Sequence, residues 1–188
     1  MMLSGWASRS RSSDEGPPLG YPLSWSRATV GVCNRDMGRA IGMSDWSKVG
    51  RPVPIPNAWT KPFWDAAKRG VLELQRCQSC RRFQHPPYAT CVKCMSIDLQ
   101  FEPVRGGGSI YAYTIMYHTG DKRFAPVVPY ASIIVELDEA PGALLAGNLL
   151  GSPYTEAKVG RRVEVTFEPL NDDVTLPQFR LAAATPAE

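Results

Sequence analysis

The sequence predicts a mainly β protein in which one short helix and a four-cysteine ribbon precede a five-stranded barrel. Three observations predict it. Two Cys-x-x-Cys pairs stand ten residues apart, one window with helical periodicity lies just before them, and the pattern changes to short, alternating apolar runs after Gly106.

The helix is expected from Thr60 to Gly70. The Thr60 hydroxyl can accept from free backbone N–H groups of a first turn, and Pro62 sits where a missing N–H costs nothing. Phe63, Ala66 and Ala67 lie at i, i+3, i+4 and make one apolar face, and Gly70 is the stop.

The ribbon is read from CQSCRRFQHPPYATCVKC, with Cys77, Cys80, Cys91 and Cys94 as ligands. Two residues between thiols let backbone N–H groups point at sulfur in a tight knuckle, and two knuckles joined by a short hairpin supply four thiolates at tetrahedral angles. Zn²⁺, borderline soft and without redox chemistry, suits this set as a structural ion; the same thiolates could hold iron. A pair of redox motifs would need a thioredoxin-like strand-to-helix context that these flanks lack. Four protein ligands leave no open position, so the ion would organise folding rather than chemistry. His85 reads as a loop residue before Pro86 and Pro87.

Five strands are expected after the ribbon: SIYAYTIMYH, YASIIVELD, ALLAGNLL, RVEVTFEP and the weaker PQFRLA, separated by turn residues. In the fourth, Val163, Val165 and Phe167 alternate with Arg162, Glu164, Thr166 and Glu168, one buried face and one wet. Closure would remove the exposed edges of so small a sheet. Gly106-Gly107-Gly108 precedes a strand rather than a helix, so it reads as a hinge or bulge and not as a phosphate loop. Alternation would place Tyr111, Tyr113 and Tyr117 on one face of the first strand.

By composition the chain divides into a tail over 1–42, a helix and ribbon over 43–104, and the barrel over 105–188. The first stretch, rich in Ser, Arg, Gly and Pro, is expected to be disordered or to extend the gene model, with translation starting at Met43; transit-peptide character is a third reading. No window holds the eighteen or so apolar residues of a membrane-spanning helix, and the start lacks a secretory apolar core, so a bacterial cytoplasm is the expected location.

With 188 residues, 44% hydrophobic and 21% charged, and a net charge of +3, the chain lacks the concentrated basicity of a dedicated nucleic-acid binder. Basic residues do gather near the ribbon: Lys61, Lys68, Arg69, Arg76, Arg81, Arg82 and Lys93 against Asp65 and Glu73. They can balance the negative thiolate cluster or meet phosphates. Neither His85 nor His118 belongs to a recognisable nucleophile–base motif, and GxSxG, P-loop and HExxH patterns are absent. Trp59, Phe63 and Trp64 are denser than a short helix needs and suit an interface; His118, in a turn, could reach a partner's active site.

The stretches PFWDAAKRGVLELQRCQSC, HPPYATCVKC, GGGSIYAYTIM, PYASIIVELDEAPGALLAGNL, VGRRVEVTFEP and LPQF together resemble the zinc-ribbon (rubredoxin-like) plus OB-fold family associated with acyl-CoA metabolism, over roughly residues 57 to 180. Arg81 departs from the Gly usual after the second cysteine. The resemblance implies a non-catalytic accessory subunit of a thiolase-like enzyme, such as a thiolase or a steroid side-chain aldolase, that stabilises its partner as a hetero-oligomer and helps shape the acyl-CoA site. Trp59, Phe63, Trp64, Arg81, Arg82 and His118 are the interface or acyl-CoA candidates. Two alternatives are a single-stranded nucleic-acid module, which the apolar and acidic middle strands argue against, and a stand-alone acyl-CoA-binding protein.

Overall fold

The computed structural model describes Trp46 and residues 49–183, all within one compact unit, Arg39–Glu188. The expectations for the tail over 1–42 and for a start at Met43 lie outside these residues.

Helix α1 spans Lys61–Lys68, with Phe63, Ala66 and Ala67 buried as the periodicity predicts. Its start differs from expectation: Thr60 makes no side-chain cap to the helix. Asn57 takes that role, its Oδ1 accepting from the backbone N–H of Trp59 and Thr60 at 3.0 and 2.9 Å, while its own N–H donates to Thr60 Oγ1 at 3.0 Å. The two side chains satisfy each other's backbone, a reciprocal cap placed one turn earlier. Gly70, at φ +74, closes the other end, where Val71 N–H returns to Ala66 O at 3.0 Å.

Three strands make the ribbon sheet in the order β2-β1-β3: β1 (Leu72–Cys77), β2 (Phe83–Gln84) and β3 (Leu99–Val104). β1 is the centre, with Leu72 paired to Val104 and Cys77 to Leu99 on one side and Arg76 to Phe83 on the other.

The second sheet runs β6-β5-β4-β7-β8: β4 (Gly107–Met116), β5 (Tyr130–Leu137), β6 (Leu144–Asn148), β7 (Arg162–Pro169) and β8 (Thr175–Leu181). Each predicted strand is present within two residues at either end. β4 is the hub, antiparallel to β5 along its length and to β7 at Gly107–Ser109. The barrel is nearly closed by a parallel bridge between Leu149 and Phe179, where Leu150 N–H donates to Phe179 O at 2.7 Å and Asn148 N–H to Gln178 Oε1 at 2.6 Å.

The glycine run is not a hinge. Gly107 and Gly108 are paired strand residues, and a Cβ on Gly108 would lie 2.4 Å from the backbone oxygen of Glu136. Gly106, at φ +80, would set a Cβ 2.2 Å from Val165 Cγ1. Only glycine lets β4 cross its neighbours this closely. A bulge between Ile110 and Ala112 makes Tyr111 the extra residue, so it drops out of strict alternation with Tyr113, and Tyr117 lies past the end of β4.

One continuous apolar core joins the two sheets and the helix: Phe63, Leu72, Leu74 and Val104 pack with Ile110, Ile133, Val135, Leu145, Val163 and Phe179. Burying side chains of this size contributes roughly 1.5–3 kcal/mol each. A smaller cluster seats Trp46 and Val49 against Val127, flanked by Tyr130 and Leu150. Arg51 fastens that segment, stacking 5.2 Å over Trp46 and meeting both carboxylate oxygens of Glu168 at 2.8 Å. Among the described residues no helix is long and apolar enough to cross a membrane.

Candidate metal centre

β1 ends at Cys77 and turns back at once into β2, which makes the first knuckle; the loop after β2 carries the second. The two are built alike. Arg81 N–H donates to Cys77 O and Met95 N–H to Cys91 O, each at 2.9 Å, while Cys80 N–H and Lys93 N–H point at Cys77 Sγ and Cys91 Sγ at 3.4 Å. Each knuckle needs a left-handed residue after its second cysteine. Arg81 (φ 60) and Met95 (φ 61) supply it, so the departure from glycine at Arg81 changes the residue and not the turn.

The sulfurs of Cys77, Cys80, Cys91 and Cys94 all lie within 4.8 Å of one another, with Cys77–Cys94 and Cys80–Cys91 at 3.6 Å. A tetrahedron with metal–sulfur bonds of about 2.3 Å has edges of about 3.8 Å, so the donor set fits a four-coordinate thiophilic cation. The electrostatics agree. The Cys80 N–H aimed at its sulfur brings the Cys77 thiol down to about 6, and the N–H groups of Cys94 and Lys93 lower Cys91. At Cys94 the Ser96 N–H pulls down, but burial and the three neighbouring sulfurs prevail and push the thiol up to about 12. Four thiolates cannot gather without a compensating cation, and that is the condition a metal meets.

The loop that carries the second knuckle has no sheet partner; two buried amides hold it instead. Gln84 Nε2 donates to Gln75 Oε1 at 2.7 Å and its Oε1 accepts from Val92 N–H at 3.0 Å, while Gln75 bonds both the N–H and the C=O of Tyr88 at 2.9 Å. Val92 adjoins Cys91, so this pair sets the second knuckle's position. Sequence reading missed it, because a glutamine in a strand carries no signal of its own burial.

On the outer side Glu102 accepts from Gln78 Nε2 at 3.0 Å and Arg76 Nη1 at 2.7 Å and faces Arg81 at 3.4 Å, which holds its carboxyl below the usual range. Arg76 and Arg81 are thus committed to a carboxylate. Arg82, beside Gly142, is exposed and meets no carboxylate among the described residues.

The remaining interface candidates scatter. Trp59 is 54% exposed, whereas Phe63 is 4% exposed and packs in the core with its ring against Trp64 and His85. His118 is exposed on the loop after β4. His85 proves more than a loop residue: its ring packs 4.9 Å from Phe63, its Nδ1 is buried without a partner, and burial lowers it to about 4.

Residues 64–98 match the family model "ChsH2, rubredoxin-like zinc ribbon domain", and residues 101–168 match "ChsH2, C-terminal OB-fold domain". A chain of the structure described as "Ltp2-ChsH2(DUF35) aldolase" is 31% identical with a TM-score of 0.62, over 70% of this chain and all of that one. A DUF35 protein of unknown function from Sulfolobus solfataricus is 15% identical with a TM-score of 0.48, over 65% of this chain and 84% of that one. The "Probable enoyl-CoA hydratase alpha subunit" of Thermomonospora curvata is 33% identical over 132 residues, which is 70% of this chain; the chain spans 40% of that relative's length. With both domains matched in order and a solved member covered from end to end, the chain belongs to the ChsH2 (DUF35) family of zinc-ribbon and OB-fold proteins.

Proposed function

We propose that this protein is a non-catalytic accessory subunit that binds and stabilises a thiolase-like enzyme, a thiolase or an aldolase of steroid side-chain degradation, in the bacterial cytoplasm. It helps form that enzyme's acyl-CoA site. The observation that carries the reading is the likeness at 31% identity to the whole ChsH2(DUF35) chain of an aldolase. Similarity to an enoyl-CoA hydratase alpha subunit supports CoA thioesters as the substrate class.

In this reading Cys77, Cys80, Cys91 and Cys94 hold a structural Zn²⁺ with no position left for substrate. The ion keeps the second knuckle folded, where Val92, Met95 and Ile97 are exposed apolar side chains. Trp59 and Trp64 would anchor the partner, Arg82, which meets no carboxylate among the described residues, would meet the phosphates of CoA, and His118 would approach the partner's site.

Co-expression with a thiolase-like protein of the same organism tests this. The pair is expected to co-purify, and Trp59→Ala with Arg82→Ala to weaken the complex at least tenfold while this chain's own melting stays unchanged. A partner that is fully stable and active alone refutes the proposal, as does steeply salt-dependent binding of oligonucleotides in place of the enzyme.

A further inference from the structure

Strand β4 is paired unevenly. On one side it matches β5 from Gly108 to Met116. On the other its ladder with β7 ends at Ser109, followed only by Ile110 N–H to Arg161 O at 2.9 Å and Gly160 N–H to Ile110 O at 2.8 Å. From Tyr111 onward this second rim has no strand beside it among the described residues.

The register tells which backbone groups face the open rim. Ala131 O accepts from Leu149 N–H at 3.1 Å, so Ala131 turns to the β6 side of β5, and its cross-strand partner Ile115 turns its own N–H and C=O away from β5. Two residues back, Tyr113 does the same. Two donors and two acceptors thus stand at strand spacing with no backbone partner among the described residues. Around them the side chains of Tyr111, Tyr113 and Thr114 are exposed, as is Tyr117 just past the strand.

The other edges of the two sheets are protected, and this one is not. β2 is two residues long, β3 carries Pro103 and the ion-paired Glu102, and β8 carries Pro177 and Arg180. β6 is tied to β8 by the Leu149–Phe179 bridge, and the far half of β7 ends in Glu168, paired with Arg51, and Pro169. Between Gly106 and Tyr117 there is no Asp, Glu, Lys, Arg or Pro. Charge and proline are what keep an open edge from pairing, and β4 has neither.

We propose that the open rim of β4 docks an extended, uncharged segment of a partner protein, which joins the barrel as an added strand. Alternating main-chain donors and acceptors are matched by another extended main chain, and the exposed tyrosines favour β-branched or aromatic residues across from them. The rim from Tyr113 to Tyr117 is about 17 Å long, too short to bury the roughly 1,000 Å² that a specific dimer of this chain would need, so the occupant is a segment and not a second copy. It shares no residue with the cleft of about 400 Å³ that α1, His85 and strands β6 and β8 enclose. The inference goes beyond the accessory-subunit reading by naming a mode of capture, and its test needs no enzyme, so either can fail alone.

The test is titration of the metal-loaded full chain with acetyl-Thr-Val-Thr-Val-Thr-amide and with the same peptide N-methylated at every residue, followed by backbone amide resonances and hydrogen exchange. In the free chain the Tyr113 and Ile115 amides are expected to exchange at least tenfold faster than that of Thr114, which turns to β5. The peptide should saturate, shift resonances from Tyr111 to Tyr117 and slow exchange at Tyr113 and Ile115 at least fivefold, and the N-methylated form should bind at least tenfold more weakly. Tyr113→Pro removes one rim donor and leaves the ladder with β5 intact, so it should weaken the peptide at least tenfold with the melting temperature unchanged. Tyr113→Lys, which sets a charge on the rim, should do the same if the proline variant fails to fold. Protection of Tyr113 and Ile115 in the free chain, equal binding of the two peptides, shifts centred on Trp64 and Ala146 in the cleft, or a dimer in sedimentation that Tyr113→Lys dissociates would each overturn the proposal.

Discussion

The ribbon and the barrel reach order by different physics. The barrel buries Ile110, Ile133, Val135, Leu137, Val163 and Phe179 to 1% exposure or less, so apolar burial and a nearly closed ladder sustain it. The ribbon borrows part of that core through Leu72, Leu74 and Val104, but its outer half is held by sulfur, two buried glutamines and the Glu102 ion pairs, with aliphatic side chains left exposed. One region can stand on burial alone; the other needs a cation to make its densest cluster of donors tolerable.

Metal removal should divide the two regions most sharply. Structural zinc sites are worth on the order of 10–16 kcal/mol at neutral pH. Chelation, or Cys91→Ser, is expected to abolish hydrogen-exchange protection across residues 77–98 while amides of β4 and β5 stay slow. Loss of protection in both regions together would show that the ribbon's cation supports the barrel as well.

Phe179→Ala attacks the other side. The ring is fully buried and lies 3.0 Å from where a Cβ on Gly147 would sit, so the site has little room to collapse and the cost should be about 3–5 kcal/mol, read by denaturant unfolding. The metal content of the folded fraction should stay stoichiometric.

A pH titration sharpens the comparison at the seam. His85 falls from 6.5 to about 4 through burial, so between these values the unfolded chain takes a proton that the folded chain refuses. Stability from this group is complete above about pH 6.5 and is lost as pH falls toward 4, by roughly 3 kcal/mol in all. No charged residue lines the cleft around the ring to alter that sign. His85→Phe should flatten the difference, seen as convergence of the two stability curves at high pH and separation below 6.

The smallest effect concerns the knuckle backbone. Met95 sits at φ 61 with its side chain largely in solvent, so Met95→Gly relieves left-handed strain but gains flexibility in the unfolded chain. A net stabilisation of about 0.5–1 kcal/mol is expected in the metal-loaded form, measured by thermal melting.

What the sequence alone determined is what depends on neighbours close along the chain. The Cys-x-x-Cys spacing specifies a knuckle, i, i+3, i+4 specifies the buried face of α1, and alternation specifies the five strands, down to Phe179 in the weakest run. Departures are local too when seen in space: Asn57 rather than Thr60 caps α1, and the bulge at Tyr111 shifts the register that alternation assumes. Only the tertiary structure decided the rest. Gln75 and Gln84 became a buried clamp because two strands brought them together. The cleft at His85 collects residues from positions 60–64, 85–87, 132, 145–148 and 176–178, none adjacent in sequence to the next group. Periodicity reports which face of one element is apolar, but a cavity and the charge state of the group inside it belong to several elements at once, and those are set when the core closes.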